Sequence, residues 1–101
     1  MRQATVKVHD LDAGVLTETD DRRYRFDYNL GYQNAPVSLT MPVNTEGYAF
    51  AIFPPFFDGV LPEGGQLEGL LRNRKIDRND YFSQLLAVGQ DLVGAVTVFE
   101  K

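Results

Sequence analysis

Few side chains in this chain are suited to chemistry, and their types are restrictive. His9 is the single histidine and there is no cysteine, so a transition-metal site would have to be built mainly from carboxylates, which disfavours metal catalysis. A Ser-His-Asp triad would need the same His9, and Ser38 and Ser83 sit in no nucleophile-type turn. His9 reads instead as a strand-face residue. Asp20 and Asp21 are adjacent carboxylates that could divide acid and base roles, but a solvated turn is the better account of the pair. Gly64 and Gly65 precede a helical pattern and could cradle a phosphate on backbone N–H groups. No lysine follows within reach and no Walker-type run occurs, so a plain turn is preferred there too. The residues therefore point to no catalytic set, no cofactor and no metal.

Composition bounds the kind of partner. The chain has 101 residues and a 44% apolar share, with seven Phe and five Tyr, which suits one domain with its own core rather than disorder. The N-terminal stretch lacks the apolar run of a signal peptide and nothing approaches the ~20 apolar residues of a membrane span, so the expected location is cytoplasmic. Formal net charge is −4, unevenly spread. Asp10, Asp12, Glu18, Asp20 and Asp21 fall in a window without a base, and no Lys or Arg occurs from Phe26 to Leu71. Positive charge gathers at Arg22, Arg23 and Arg25, then at Arg72, Arg74, Lys75 and Arg78. Domains that grip nucleic acid carry a basic face, because phosphate neutralisation supplies much of their affinity. This balance argues against direct nucleic-acid binding, and the second basic group reads as a solvated helix end rather than a DNA contact.

The elements follow from periodicity. Ala4 to His9 alternates, with Val6 and Val8 on one face, and Asp10 to Gly14 supplies turn residues before Val15 to Glu18 returns as a second strand. Asp20 and Asp21 mark the next turn. Tyr24, Phe26 and Tyr28 alternate with charged residues as a third strand, and Val37, Leu39 and Met41 alternate with Ser38 and Thr40 as a fourth that Pro42 stops. Tyr48 to Phe53 reads as extended. Pro54 and Pro55 open a short helix, which Gly59, Pro62 and the Gly64-Gly65 pair end and turn. Leu67, Leu70 and Leu71 mark one face of a helix at Gln66 to Arg74, weakened by Gly69, whose presence implies close packing or local give. Asp77 is placed as an N-cap with Asp80 as its capping-box acid. The helix that follows runs to about Val88 and ends at a left-handed Gly89. Gly94 to Phe99 is the last strand.

The fold class is thus α+β: an antiparallel sheet of about five strands with two to three helices from the second half packed against it. The expected core is Val6, Val8, Leu16, Tyr24, Phe26, Leu39, Phe53, Phe56, Phe57, Leu67, Leu70, Leu71, Phe82, Leu85, Leu86, Val96 and Val98. The segment from Pro54 to Gly65 is its junction. Either its phenylalanines simply cover one end of the sheet, or the turn after Leu61 also presents backbone and Glu63 to something else.

Two runs carry a family likeness. Phe56-Phe57-Asp58-Gly59-Val60-Leu61-Pro62-Glu63-Gly64 resembles the FFD-x-LLP signature of HipA-type kinase toxins, in the small region before their kinase core. Tyr81-Phe82-Ser83-Gln84-Leu85-Leu86-Ala87-Val88-Gly89-Gln90-Asp91-Leu92-Val93-Gly94-Ala95-Val96 is similar to the family's F-x-LL-x-x-IG-x-D-x-VGAV run. Order and spacing also agree, so the pair is specific where either motif alone is weak. The resemblance covers essentially residues 1–101 as a single N-terminal subdomain 1. The kinase core, with its nucleotide loop and catalytic and metal-binding aspartates, has no counterpart in the sequence, so no enzyme activity is expected.

Stand-alone, HipS-like forms of this subdomain belong to split, three-component bacterial toxin-antitoxin systems, beside a shortened kinase and a helix-turn-helix DNA-binding protein. The resemblance therefore implies an antitoxin that binds and inhibits a HipA-like Ser/Thr kinase toxin. The alternative is a non-inhibitory subunit that completes the kinase N-lobe and assists assembly with the DNA-binding partner. On either reading the partner-facing surface is assigned to Phe57, Asp58, Leu61, Pro62, Glu63, Gly64, Gly65 and Gln66. Pro62 makes that turn rigid and cheap to order, Leu61 could anchor in a pocket, and Glu63 could meet a basic group. Gly64 and Gly65 have no side chain to plug an active site, which favours an effect through backbone or lobe position.

Overall fold

The first ten residues already close a hairpin. In a computed structural model that describes every residue except Val93, strand β1 (Arg2–Val8) and strand β2 (Leu11–Glu18) are joined by His9 and Asp10 alone, at φ 50° and 65°. Two consecutive positive φ values are what a two-residue turn needs to follow the strand twist. His9 is therefore a turn residue rather than a strand-face residue, and the second strand starts at Leu11 instead of Val15. It starts early because of a bulge. Val6 pairs with Gly14 but Lys7 pairs with Asp12, which leaves Ala13 as the extra residue and places both Ala13 and Gly14 inside.

Strand β3 (Tyr24–Tyr28) pairs with β2, and a short strand β4 (Tyr48–Phe50) pairs with β3. Strand β5 (Val96–Glu100) returns to pair with β1, so the all-antiparallel order is β4-β3-β2-β1-β5. One face of this sheet is apolar: Ala4, Val6, Leu16, Phe26 and Val98 are completely buried, with Val8, Tyr24 and Tyr28 beside them. The opposite face alternates with polar groups such as Thr5, Lys7, Thr17 and Arg25.

The fourth strand is not where alternation places it. Val37 to Met41 forms a tight turn closed by a single Ser38–Met41 bridge. Tyr28 imposes it: its hydroxyl accepts from the Val37 N–H at 2.9 Å and donates to the Met41 carbonyl. Val37 and Met41 are thereby pulled in, and the turn throws Leu39 out to 93% exposure, so Leu39 is not a core residue.

Helix α1 (Pro55–Asp58), helix α2 (Gly64–Arg74) and helix α3 (Tyr81–Val88) fill the chain between β4 and β5. Phe57, Phe82 and Leu85 are fully buried and Phe53 is nearly so, and these close the apolar face of the sheet. Phe56, Leu86 and Val96 are only partly covered. Helix α2 contributes no buried residue; Leu67, Leu70 and Leu71 are half-exposed and lie outside the core cluster. Nor is Gly69 closely packed, for a Cβ there would meet nothing within 4 Å.

Two predicted caps also move. Asp80, not Asp77, is the N-cap of α3 and accepts from the Ser83 N–H at 3.1 Å, while Asp77 turns onto the Asn79 N–H at 2.8 Å. Gly89 follows α3 with φ −58°, so handedness does not explain it. Its reason is proximity: a Cβ there would stand 2.2 Å from the Val98 carbonyl oxygen, and Val98 N–H donates to the Gly89 carbonyl at 2.9 Å. That approach ties α3 to β5.

Candidate functional site

The junction begins with Pro54 and Pro55, which fix φ for the first turn of α1 and lack only N–H groups the turn would leave unpaired. Asp58 N–H then donates to Pro54 and Gly59 N–H to Pro55, at 2.9 and 3.0 Å. Val60 N–H to Phe57 and Leu61 N–H to Asp58, both at 3.2 Å, continue the coil to Leu61. Pro62 stops it. Glu63 is extended at φ −131°, Gly64 takes φ +59°, and α2 starts there. A left-handed backbone at this corner suits glycine, because a Cβ would be strained.

Of the eight residues assigned to the partner-facing surface, seven form one ridge between α1 and α2. Asp58, Glu63, Gly64, Gly65 and Gln66 are exposed, and Leu61 and Pro62 are half-buried. Phe57 is different. It is fully buried, with its ring 6.1 Å from Phe26 and 5.2 Å from Phe56, so it holds the ridge from beneath and offers no contact surface. Leu61 also packs on the core, which leaves only part of its side chain free. Asp58 and Glu63 have no ion-pair partner among the described residues.

A second polar constellation was not foreseen from sequence. Arg2 Nε donates to Glu18 at 2.8 Å, Nη2 to Asp80 at 2.8 Å, and Nη1 to the Ser83 hydroxyl at 2.8 Å. Ser83 donates to the other Asp80 oxygen at 2.7 Å, Tyr24 reaches Glu18 at 3.3 Å, and the guanidinium lies 5.0 Å from the Phe82 ring centre. The hydrogen bonds to Glu18 and Asp80 push the Arg2 pKa further up. Burial acts to raise the Asp80 pKa, but the hydrogen bonds from Arg2 and Ser83 together outweigh it and hold the carboxyl below its ordinary value. Burial, followed by the Glu18 charge, raises the Tyr24 phenol.

Arg2, Glu18, Tyr24 and Asp80 border a cleft of about 320 Å³ with Arg22, Asp77 and Asn79. The charges of Arg2, Glu18 and Asp80 satisfy one another, so the geometry is that of a clasp between β1 and α3. The Asp80-to-Ser83 spacing is a local signal for the cap. Nothing local announces Arg2, which is far from both in sequence. Among the described residues no three His, Asp or Glu side chains gather as a metal site, and no helix is long and apolar enough to cross a membrane.

The sequence profile of the HipA N-terminal domain matches residues 4–99. The chain belongs to this family. A solved structure of the N-terminal domain of HipA toxin superimposes with a TM-score of 0.77 at 26% identity, covering 100% of this chain and 93% of that one. An uncharacterized protein of Haemophilus influenzae is 32% identical over 101 residues, which is 100% of this chain and 94% of the relative. Both HipA-type runs lie on elements that define the domain. The first spans α1 and the ridge, and the second spans α3 and the return to β5, except that its Val93 lies outside the described residues.

Proposed function

We propose that this HipA-family domain is the antitoxin of a split, three-component system: it binds a HipA-like Ser/Thr kinase toxin, in a complex with a helix-turn-helix DNA-binding protein, and inhibits the kinase. The observation that supports this reading is the family match together with the length of a relative. Residues 4–99 match the HipA N-terminal domain, and a Haemophilus relative of the domain is itself 94% covered by this chain. A domain of this family acting in the cytoplasm beside a kinase would act through contact. Phosphoryl transfer depends mostly on positioning and preorganised charge, so a small body seated on a kinase can suppress it by shifting lobe geometry.

The ridge from Asp58 to Gln66 is the proposed kinase-facing surface. It is rigid at Pro62 and carries two unpaired carboxylates for a basic partner. At its tip, Gly64 and Gly65 allow close approach of the backbone while providing nothing to plug a cleft. Autophosphorylation of the co-encoded HipA-like kinase, measured beside co-elution, tests the reading. Wild-type protein should co-elute and suppress phosphorylation near stoichiometry, and Asp58→Arg with Glu63→Arg should weaken suppression by about tenfold or more. Co-elution with full kinase activity would show a subunit that completes the kinase lobe without inhibiting it. Absence of a complex would overturn the kinase partnership altogether.

A further inference from the structure

The sheet has two edges, and the fold covers one of them. At β5 the Val98 N–H donates to the Gly89 carbonyl at 2.9 Å, so the end of α3 occupies that edge. At the other edge β4 pairs with β3 alone, and the alternation of an antiparallel ladder fixes which of its backbone groups are free. Thr19 N–H donates to the Arg23 carbonyl and Asn29 N–H to the Ala13 carbonyl, both at 2.8 Å. These bonds bracket the β2–β3 ladder, commit Arg25 and Asp27 to β2, and leave Tyr24 and Phe26 to bond with β4. Their partners there are Phe50 and Tyr48. Ala49 stands opposite Arg25 in the unbonded position, so its N–H and C=O point out of the sheet. It is exposed, and no other backbone group among the described residues meets either of them.

The side chains on either side of Ala49 face a groove. Tyr48 and Phe50 line a depression of about 250 Å³ together with Thr40, Met41, Pro55 and Phe56, none of them charged. A strand laid along β4 would bond one of its residues to Ala49. Because side chains alternate, the residues before and after that one would turn to the face of Tyr48 and Phe50, where the groove lies. An open edge and an apolar groove on the same strand are the two parts of a site that recognises an extended backbone.

A second copy of the chain does not supply that strand. β4 has three residues, a length of about 10 Å. Gly47 before it takes φ +76° and its N–H is already bonded to Asn44 Oδ1 at 2.9 Å. Two copies of β4 would therefore share little beyond an Ala49 pair, far short of the roughly 800 Å² per partner that a stable interface buries.

We propose that β4 and its groove form a docking site for an extended segment of a partner protein, in which one residue pairs with the Ala49 main chain and the residues before and after it are apolar and enter the groove. The main-chain bonds set the register and the groove sets the selectivity. This site is independent of the kinase reading above.

A random displayed peptide library selected on the full chain tests it. Selection should enrich sequences with apolar residues two positions apart, and a synthetic peptide of that pattern should slow hydrogen exchange at the Ala49 amide, which exchanges freely in the protein alone. Ala49→Pro removes the outward N–H without taking a bond from the sheet, and Thr40→Arg puts a long charged side chain at the groove from an exposed position. Each variant should melt as wild type and bind the peptide at least about tenfold more weakly. Selection without that pattern, a bound peptide that leaves Ala49 exchange unchanged, or unchanged affinity in either variant overturns the proposal. Slow Ala49 exchange that appears on concentrating the protein alone would assign the edge to a second copy and likewise overturn it.

Discussion

Asp80 performs three tasks through two oxygens: it caps α3 through the Ser83 N–H, accepts the Ser83 hydroxyl, and pairs with Arg2. Replacing it by alanine removes a cap and half of a partly exposed ion pair, a loss of about 1–2 kcal/mol. Its pKa lies below the ordinary 3.8 in the folded state. The stabilisation is therefore complete above that pH and is lost as the pH falls through the lowered folded value. Urea midpoints should show Asp80→Ala well below wild type at about pH 7, with the gap narrowing once the pH is taken below about 3.8. A gap that stays constant with pH would mean the carboxylate charge contributes nothing. The cap is half legible: an acid followed three residues later by Ser83 is a local pattern, though Asp77, with Asp80 three residues on, offers a similar one. Arg2 was illegible, because a contact across the whole chain leaves no periodic trace. The exposure of Asp58 and of Glu63 to Gln66 is legible from their types, and Phe57, assigned from sequence both to the core and to the surface, belongs to the core alone because its ring packs against Phe26 from another element.

Elements were readable where burial on one face enforced a period, and misread where a side chain from elsewhere overrode it. Tyr24, Phe26 and Tyr28 alternate and form β3 as expected; Val37, Leu39 and Met41 alternate too, yet the Tyr28 hydroxyl captures the backbone at Val37 and Met41 and folds the run into a turn. The glycines of α2 and of the α3 terminus show the same dependence on context. Gly69 has open space around it and sits mid-helix, so Gly69→Ala should raise stability by about 0.5–1 kcal/mol. Gly89 has a negative φ, but a Cβ on it would stand 2.2 Å from the Val98 carbonyl oxygen. Backbone cannot yield there as a flexible side chain would, so Gly89→Ala should lower stability by about 2 kcal/mol or more. Denaturant melts of the two variants should move in opposite directions. Equal shifts would mean that the α3–β5 approach is not a constraint.

The whole molecule is polarised in a way that its net charge of −4 conceals. The apolar interior was recoverable from patterning because the sheet buries one face. The face that α2 turns outward was not, because Leu67, Leu70 and Leu71 look like core residues in sequence and are half-exposed in the fold. The cation-free stretch from residue 26 to 71 supplies the ridge, while the Lys and Arg residues of the second half sit at and beyond the C-terminal end of α2. A partner approaching the ridge therefore meets the exposed carboxylates of Asp58 and Glu63, which steer a cationic surface from beyond contact distance. Association with the kinase should slow by about tenfold between low salt and roughly half-molar salt, while dissociation changes little, because the buried contacts are apolar and screening acts on the encounter. Stopped-flow or interferometry traces at several ionic strengths measure both rates. An association rate independent of salt would place the kinase contact on apolar packing alone and remove charge from the account of partner choice.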